Sequence, residues 1–180
     1  MTTAKPKFKE IILHWTGGGY NPNEVDCKAY HYLIDGQGKL HYGYYKPEDN
    51  LDCNDGKYAQ HCGGGNTGRI GLAICGMNGY SPSHPYTCYP INLNQVEAIC
   101  KLSAELLIKY NLPSDKVRTH AEFGIDNPNT TSKGKIDIHT LCYNNIKGYK
   151  EVGDILRKKI NWYYTKLKAK QIPYEYINRW

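Results

Sequence analysis

None of the apolar runs in these 180 residues approaches the roughly 20 positions a helix needs to cross a bilayer, which excludes a transmembrane span. The opening stretch, Met1-Thr2-Thr3-Ala4-Lys5-Pro6-Lys7-Phe8, lacks the apolar core of a secretion signal, so the chain is expected to be cytoplasmic at synthesis. There is no low-complexity linker and no repeat with a period of roughly 20 to 50 residues. A single domain over 1–180 is therefore predicted, with its core at about 8–165 and a short basic, aromatic C-terminal extension. Phenylalanine is nearly missing, 2 residues against 17 tyrosines, so most aromatic contacts must also place a hydroxyl. The 7 cysteines are odd in number and show no finger or ribbon spacing; Cys75 and Cys100 lie in apolar contexts that suit small reduced thiols. The run Gly63-Gly64-Gly65-Asn66-Thr67-Gly68 lacks the Gly-Lys-Ser/Thr ending of a phosphate loop. Acidic residues are outnumbered, and the net charge of +6 suits attraction to anionic envelope polymers or lipid headgroups. With no motif for it, nucleic acid is not an expected partner, and nothing in the sequence specifies an oligomeric state.

What is present alternates between strand and helix patterns. Ile11-Ile12-Leu13-His14 and Arg69 to Cys75 read as buried strands, and Tyr30 to Asp35 with Leu40 to Tyr45 as a hairpin turning at Gly36-Gln37-Gly38. Val96, Ile99, Leu102 and Leu106 recur at helical spacing between Asn94 and Tyr110, with Asn111 and Pro113 as a stop. Val152, Ile155, Leu156 and Ile160 form a second helical stripe, with Arg157, Lys158 and Lys159 read as a solvated basic face. Glu24 to Ala29 reads as a short helix or turn, and residues 46–68 as irregular. This pattern predicts an α/β fold, a central mixed β-sheet with helices packed on its faces.

Two histidines close strand-like runs: His14 after Ile11-Ile12-Leu13, and His120 after Lys116-Val117-Arg118-Thr119. Asp137 lies downstream, with His139 two residues further on the same face of an extended segment. Two imidazoles and a carboxylate leave one position of a tetrahedral zinc open, the arrangement of catalytic zinc sites, with Asp137 and His139 both in reach as the third donor. Glu122 sits close enough in sequence to brace such a site from outside it.

Five segments occur together in one order: His14-Trp15-Thr16-Gly17-Gly18-Gly19; Tyr30-His31-Tyr32-Leu33-Ile34-Asp35-Gly36; His61-Cys62-Gly63-Gly64-Gly65-Asn66-Thr67-Gly68-Arg69-Ile70-Gly71; Thr119-His120-Ala121-Glu122; and Lys135-Ile136-Asp137. In that order the chain resembles the N-acetylmuramoyl-L-alanine amidases of the amidase-2 family, which includes peptidoglycan recognition proteins and small phage amidases. The resemblance implies an α/β fold, Zn2+ held by His14, His120 and Asp137, and Tyr30 and Lys135 at the non-ligand catalytic positions. His61, Asn66 and Thr67 match the family's substrate-groove loop, although a plain turn explains the glycines beside them equally well. Tyr30 also fits a packed hairpin residue.

One departure from a branch of the family is visible. Where some relatives carry a glutamate general base after the Ile-Gly pair, this chain has Ala73 and Cys75. The function implied is zinc-dependent hydrolysis of the amide between the lactyl group of N-acetylmuramic acid and L-alanine in peptidoglycan or a muropeptide. Small size and a basic tail point to a phage or prophage endolysin that meets the cell wall after release. A cytoplasmic muropeptide-recycling amidase and a non-catalytic peptidoglycan-binding module are the competing readings.

Overall fold

The computed structural model describes residues 7–177. The ends of the 1–180 span, and with them most of the Met1–Phe8 stretch, lie outside the described residues. Strands β1 (Glu10–Trp15), β2 (Tyr32–Ile34), β3 (Leu40–Tyr42), β4 (Arg69–Ile74) and β5 (Val117–Thr119) form one sheet in the order β3-β2-β4-β1-β5. β1 lies between β4 and β5 and is parallel to both; β2 is parallel to β4, and β3 is antiparallel to β2. Around this mixed sheet stand α1 (Glu24–Ala29), α2 (Leu93–Lys109), α3 (His120–Asp126) and α4 (Tyr149–Lys168). A small ribbon of β6 (Thr140–Leu141) and β7 (Ile146–Lys147) precedes α4. The architecture is the α/β fold expected from the sequence.

Local signals account for the helix ends. Asn92 caps α2 in a capping box with Gln95, and Asn111, just past the helix, takes φ 52°. Val96, Ile99, Leu102 and Leu106 are all buried, as their spacing requires. β5 is only three residues long, because Thr119 caps α3 in a box with Glu122. His120 therefore opens a helix instead of ending a strand.

Side chains alternate across a strand, and here the two faces have different uses. Ile11, Leu13 and Trp15 of β1 join Ile70, Leu72 and Ile74 of β4 in the main core, which α2 and α4 cover. The opposite face receives Ile12 and His14 from β1. There β4 places Gly71 and Ala73, followed by Cys75 just past its end, small residues that leave room for rings from neighbouring segments.

The basic face of α4 needs a correction at one position. Arg157 turns inward: Nη1 donates to the Val117 carbonyl at 3.2 Å and to Glu122 Oε2 at 2.9 Å, while Nη2 donates to Glu122 Oε1 at 2.7 Å. One guanidinium thus ties α4 to β5 and to the cap of α3. Arg157→Ala should lower stability by about 1.5–3 kcal/mol, the range for hydrogen bonds to charged groups, and Lys158→Ala by less than about 0.5 kcal/mol. Urea unfolding midpoints of the two variants would check this, and equal midpoints would contradict it.

Candidate functional site

His14, at the C-terminal end of β1, His120, at the start of α3, and Asp137, in the segment after α3, meet at one buried point. Asp137 Oδ2 lies 2.9 Å from His14 Nδ1 and 3.0 Å from His120 Nδ1. One donor atom from each residue falls within 4.8 Å of the other two. His139 is elsewhere: its Nδ1 donates to the Ile136 carbonyl at 2.7 Å, its Nε2 meets the Tyr80 hydroxyl at 3.3 Å, and its ring stacks on Tyr149.

The electrostatics match a metal-donor set. Burial, helped by the neighbouring His120, pushes His14 down to about 4, so its imidazole is neutral at pH 7. Burial alone would raise Asp137, but the adjoining His120 and His14 outweigh it and hold the carboxylate at about 2. A neutral imidazole and an ionised carboxylate are the forms that bind zinc, and here they converge at one buried point.

The remaining sequence-predicted residues surround this point in different ways. The Tyr30 ring stands 5.1 Å from the His14 ring, and its hydroxyl donates to the Trp15 carbonyl at 3.4 Å. Burial, with the Asp137 charge second, drives the Tyr30 hydroxyl well above its ordinary range. Lys135 is exposed, and its charge contributes, after burial and His120, to keeping His14 deprotonated. His61 is buried behind His14, with Nδ1 3.1 Å from His14 Nε2. Asn66 braces its own loop, its Oδ1 accepting from the Cys62 N–H at 2.8 Å, while Thr67 is exposed. Asn66 and Thr67 line a polar cavity with Lys9, Tyr58 and Arg69, and none of the three candidate donors borders it. The glycines of this loop serve close packing within the chain, since a Cβ on Gly65 would strike the Phe123 ring. Glu122 braces the site as a helix cap and as the partner of Arg157, without touching the candidate donors.

Sequence reasoning passed over Ser132, whose hydroxyl lies 2.9 Å from His120 Nε2 and donates to the Gly63 carbonyl at 2.8 Å. It also passed over His31, whose ring is held by Asn50 Oδ1 and by the Gly71 N–H, both at 2.9 Å. A serine in a polar loop carries no local signal of such a contact.

The family model for N-acetylmuramoyl-L-alanine amidase, Amidase_2, matches residues 4–137, a span that contains all three candidate donors. No curated protein matches the chain. Among solved structures, the Staphylococcus aureus hydrolase AmiA in complex with its ligand is 15% identical, covering 95% of this chain and 79% of that one, with a TM-score of 0.60. The PlyG catalytic domain is 20% identical, covering 89% of this chain and 85% of that one, with a TM-score of 0.50. E. coli AmiD, in complex with anhydro-N-acetylmuramic acid-L-Ala-D-gamma-Glu-L-Lys, is 18% identical over 67% of this chain, with a TM-score of 0.45, and the match spans 51% of the AmiD chain. At such identities the likeness to AmiA and PlyG speaks for the fold, while the family follows from a model that spans well over half the sequence. The chain belongs to the Amidase_2 family of N-acetylmuramoyl-L-alanine amidases.

Proposed function

We propose that this chain is a zinc-dependent N-acetylmuramoyl-L-alanine amidase, with His14, His120 and Asp137 as the protein's zinc donors. The observation that carries the reading is the convergence of these three side chains, from three separate segments, on one buried point in a member of this family. Zinc in such a set supplies Lewis acidity to the scissile carbonyl and lowers the pKa of an attacking water to roughly 7.

The chain's own residues do the rest. Lys135 brings an ammonium beside the site, where negative charge gathers on the carbonyl oxygen as the carbon becomes tetrahedral. Tyr30, whose ring stands beside His14, brings a hydroxyl to the site as a hydrogen-bonding group. Asn66 and Thr67 line a polar cavity with Lys9 and Arg69, toward the opposite end of β1 and β4 from His14, so they stand apart from the reacting carbonyl. The net charge of +6 favours an anionic wall polymer over a small soluble fragment, as an endolysin would require.

A second reading, a binding module without turnover, draws on Ala73. This residue pairs with His14 across β1 and β4, at the position where a glutamate base would stand in some relatives. Purified metal-replete protein should contain about one zinc per chain and lose amidase activity in chelator. Full turnover in chelator, from protein without zinc on elemental analysis, would sink the zinc reading.

A further inference from the structure

We infer that His61 and Ser132 are positioning residues which hold the two donor imidazoles by their outer nitrogens and fix the tautomer that offers both Nδ1 lone pairs to the metal. The inference rests on the zinc reading and adds to it. His14 and His120 both turn Nδ1 inward, toward Asp137 Oδ2. Their Nε2 atoms point outward, that of His14 to His61 Nδ1 at 3.1 Å and that of His120 to Ser132 Oγ at 2.9 Å.

A neutral imidazole has a single N–H, so the outer contacts can be audited for each tautomer. With the proton on Nε2, His14 donates to His61 Nδ1. The His61 proton then sits on its own Nε2 and is directed at the Arg69 carbonyl, 3.4 Å away. His120 donates to Ser132 Oγ, whose one hydrogen goes to the Gly63 carbonyl at 2.8 Å. Every outer group is paired. With the proton on Nδ1 the chain breaks twice: the His61 Nε2 lone pair would face the Arg69 carbonyl, and Ser132 would have one hydrogen for two acceptors. The outer partners therefore favour the Nε2–H form, which leaves lone pairs of two imidazoles and a carboxylate facing one another, an arrangement a cation resolves.

The supports are themselves fixed. The His61 ring lies over Gly71, where a Cβ would collide with it, and packs edge-on against His31 at 5.5 Å between centroids. The loop from His61 to Gly65 thus steadies both donors, one through His61 itself and the other through the Gly63 carbonyl on Ser132.

The test compares zinc affinities, measured by competition with a chromophoric chelator, for wild type, His61→Leu, His61→Asn and Ser132→Ala. Leucine removes the acceptor at similar bulk, while asparagine places an amide oxygen near the Nδ1 position. His61→Leu and Ser132→Ala should bind zinc roughly 10- to 100-fold more weakly, the usual cost of losing an outer partner, and His61→Asn should recover most of the loss. In the zinc-loaded wild type, 15N-edited NMR should show exchange-protected Nε2–H signals from His14 and His120, with the His14 signal lost in His61→Leu. Unchanged affinity in both His61→Leu and Ser132→Ala, or protons found on Nδ1, would overturn the inference. Ser132→Ala keeps the test decisive if His61→Leu does not fold. Zinc-free wild type would instead overturn the underlying zinc reading, so the two failures are distinguishable.

Discussion

Asp137→Ala should lose zinc and turnover together, while His139→Ala, two residues away, should keep both near wild type. The contrast follows from where the two side chains point. Asp137 Oδ2 sits 2.9 and 3.0 Å from the inward nitrogens of His14 and His120 and is the only anionic donor of the three. Its removal takes away both a donor and the charge that offsets the metal's own, so the loss in zinc affinity should exceed the roughly 10- to 100-fold that an outer partner is worth. His139 spends its nitrogens on the Ile136 carbonyl and the Tyr80 hydroxyl, in an aromatic setting with Trp15 and Tyr149. His139→Ala should therefore cost stability, about 1–3 kcal/mol for a buried polar group whose partners lose it, and not metal. Elemental analysis with kcat on the same preparations reads both effects. Zinc retained in Asp137→Ala and lost in His139→Ala would reassign the third donor.

Lys135→Ala should keep its zinc and most of its substrate affinity while kcat falls by roughly 10²- to 10³-fold, the scale for losing one group that stabilises a developing oxyanion. Because Lys135 is exposed, the substitution should leave folding intact, and a fall in kcat could not be blamed on the scaffold. An interaction made only in the transition state lowers kcat and kcat/KM equally; one made already with bound substrate raises KM instead. An unchanged kcat would remove Lys135 from the chemistry and leave Tyr30 as the leading non-donor residue.

The sequence carried the parts of this picture that are local. The helical spacing of Val96, Ile99, Leu102 and Leu106 and the stop at Asn111 place α2 to within a residue or two, because burial and capping act within a few turns. His14 was legible as the end of an apolar strand. His120 follows a strand-like run in the sequence, yet it opens α3, because the Thr119–Glu122 capping box takes over one residue earlier. What stayed hidden depends on contacts between distant segments. Arg157 resembles its lysine neighbours in the sequence, since nothing in a helical charge run tells which member meets a half-buried Glu122 35 positions away. His61 matched a groove motif, but its place behind His14 depends on Gly71 leaving space under the ring. Ser132 belongs to a polar segment whose spatial neighbours no periodicity can supply.

The most direct test is to digest intact sacculi with metal-replete protein and identify the new ends by mass spectrometry, with soluble muropeptides treated in parallel. The account predicts free L-alanine amino termini on released stem peptides and intact lactyl groups on the glycan, with none of these ends when zinc is stripped. Protein that holds zinc and binds sacculi, yet releases no new L-alanine termini from either substrate, would contradict it.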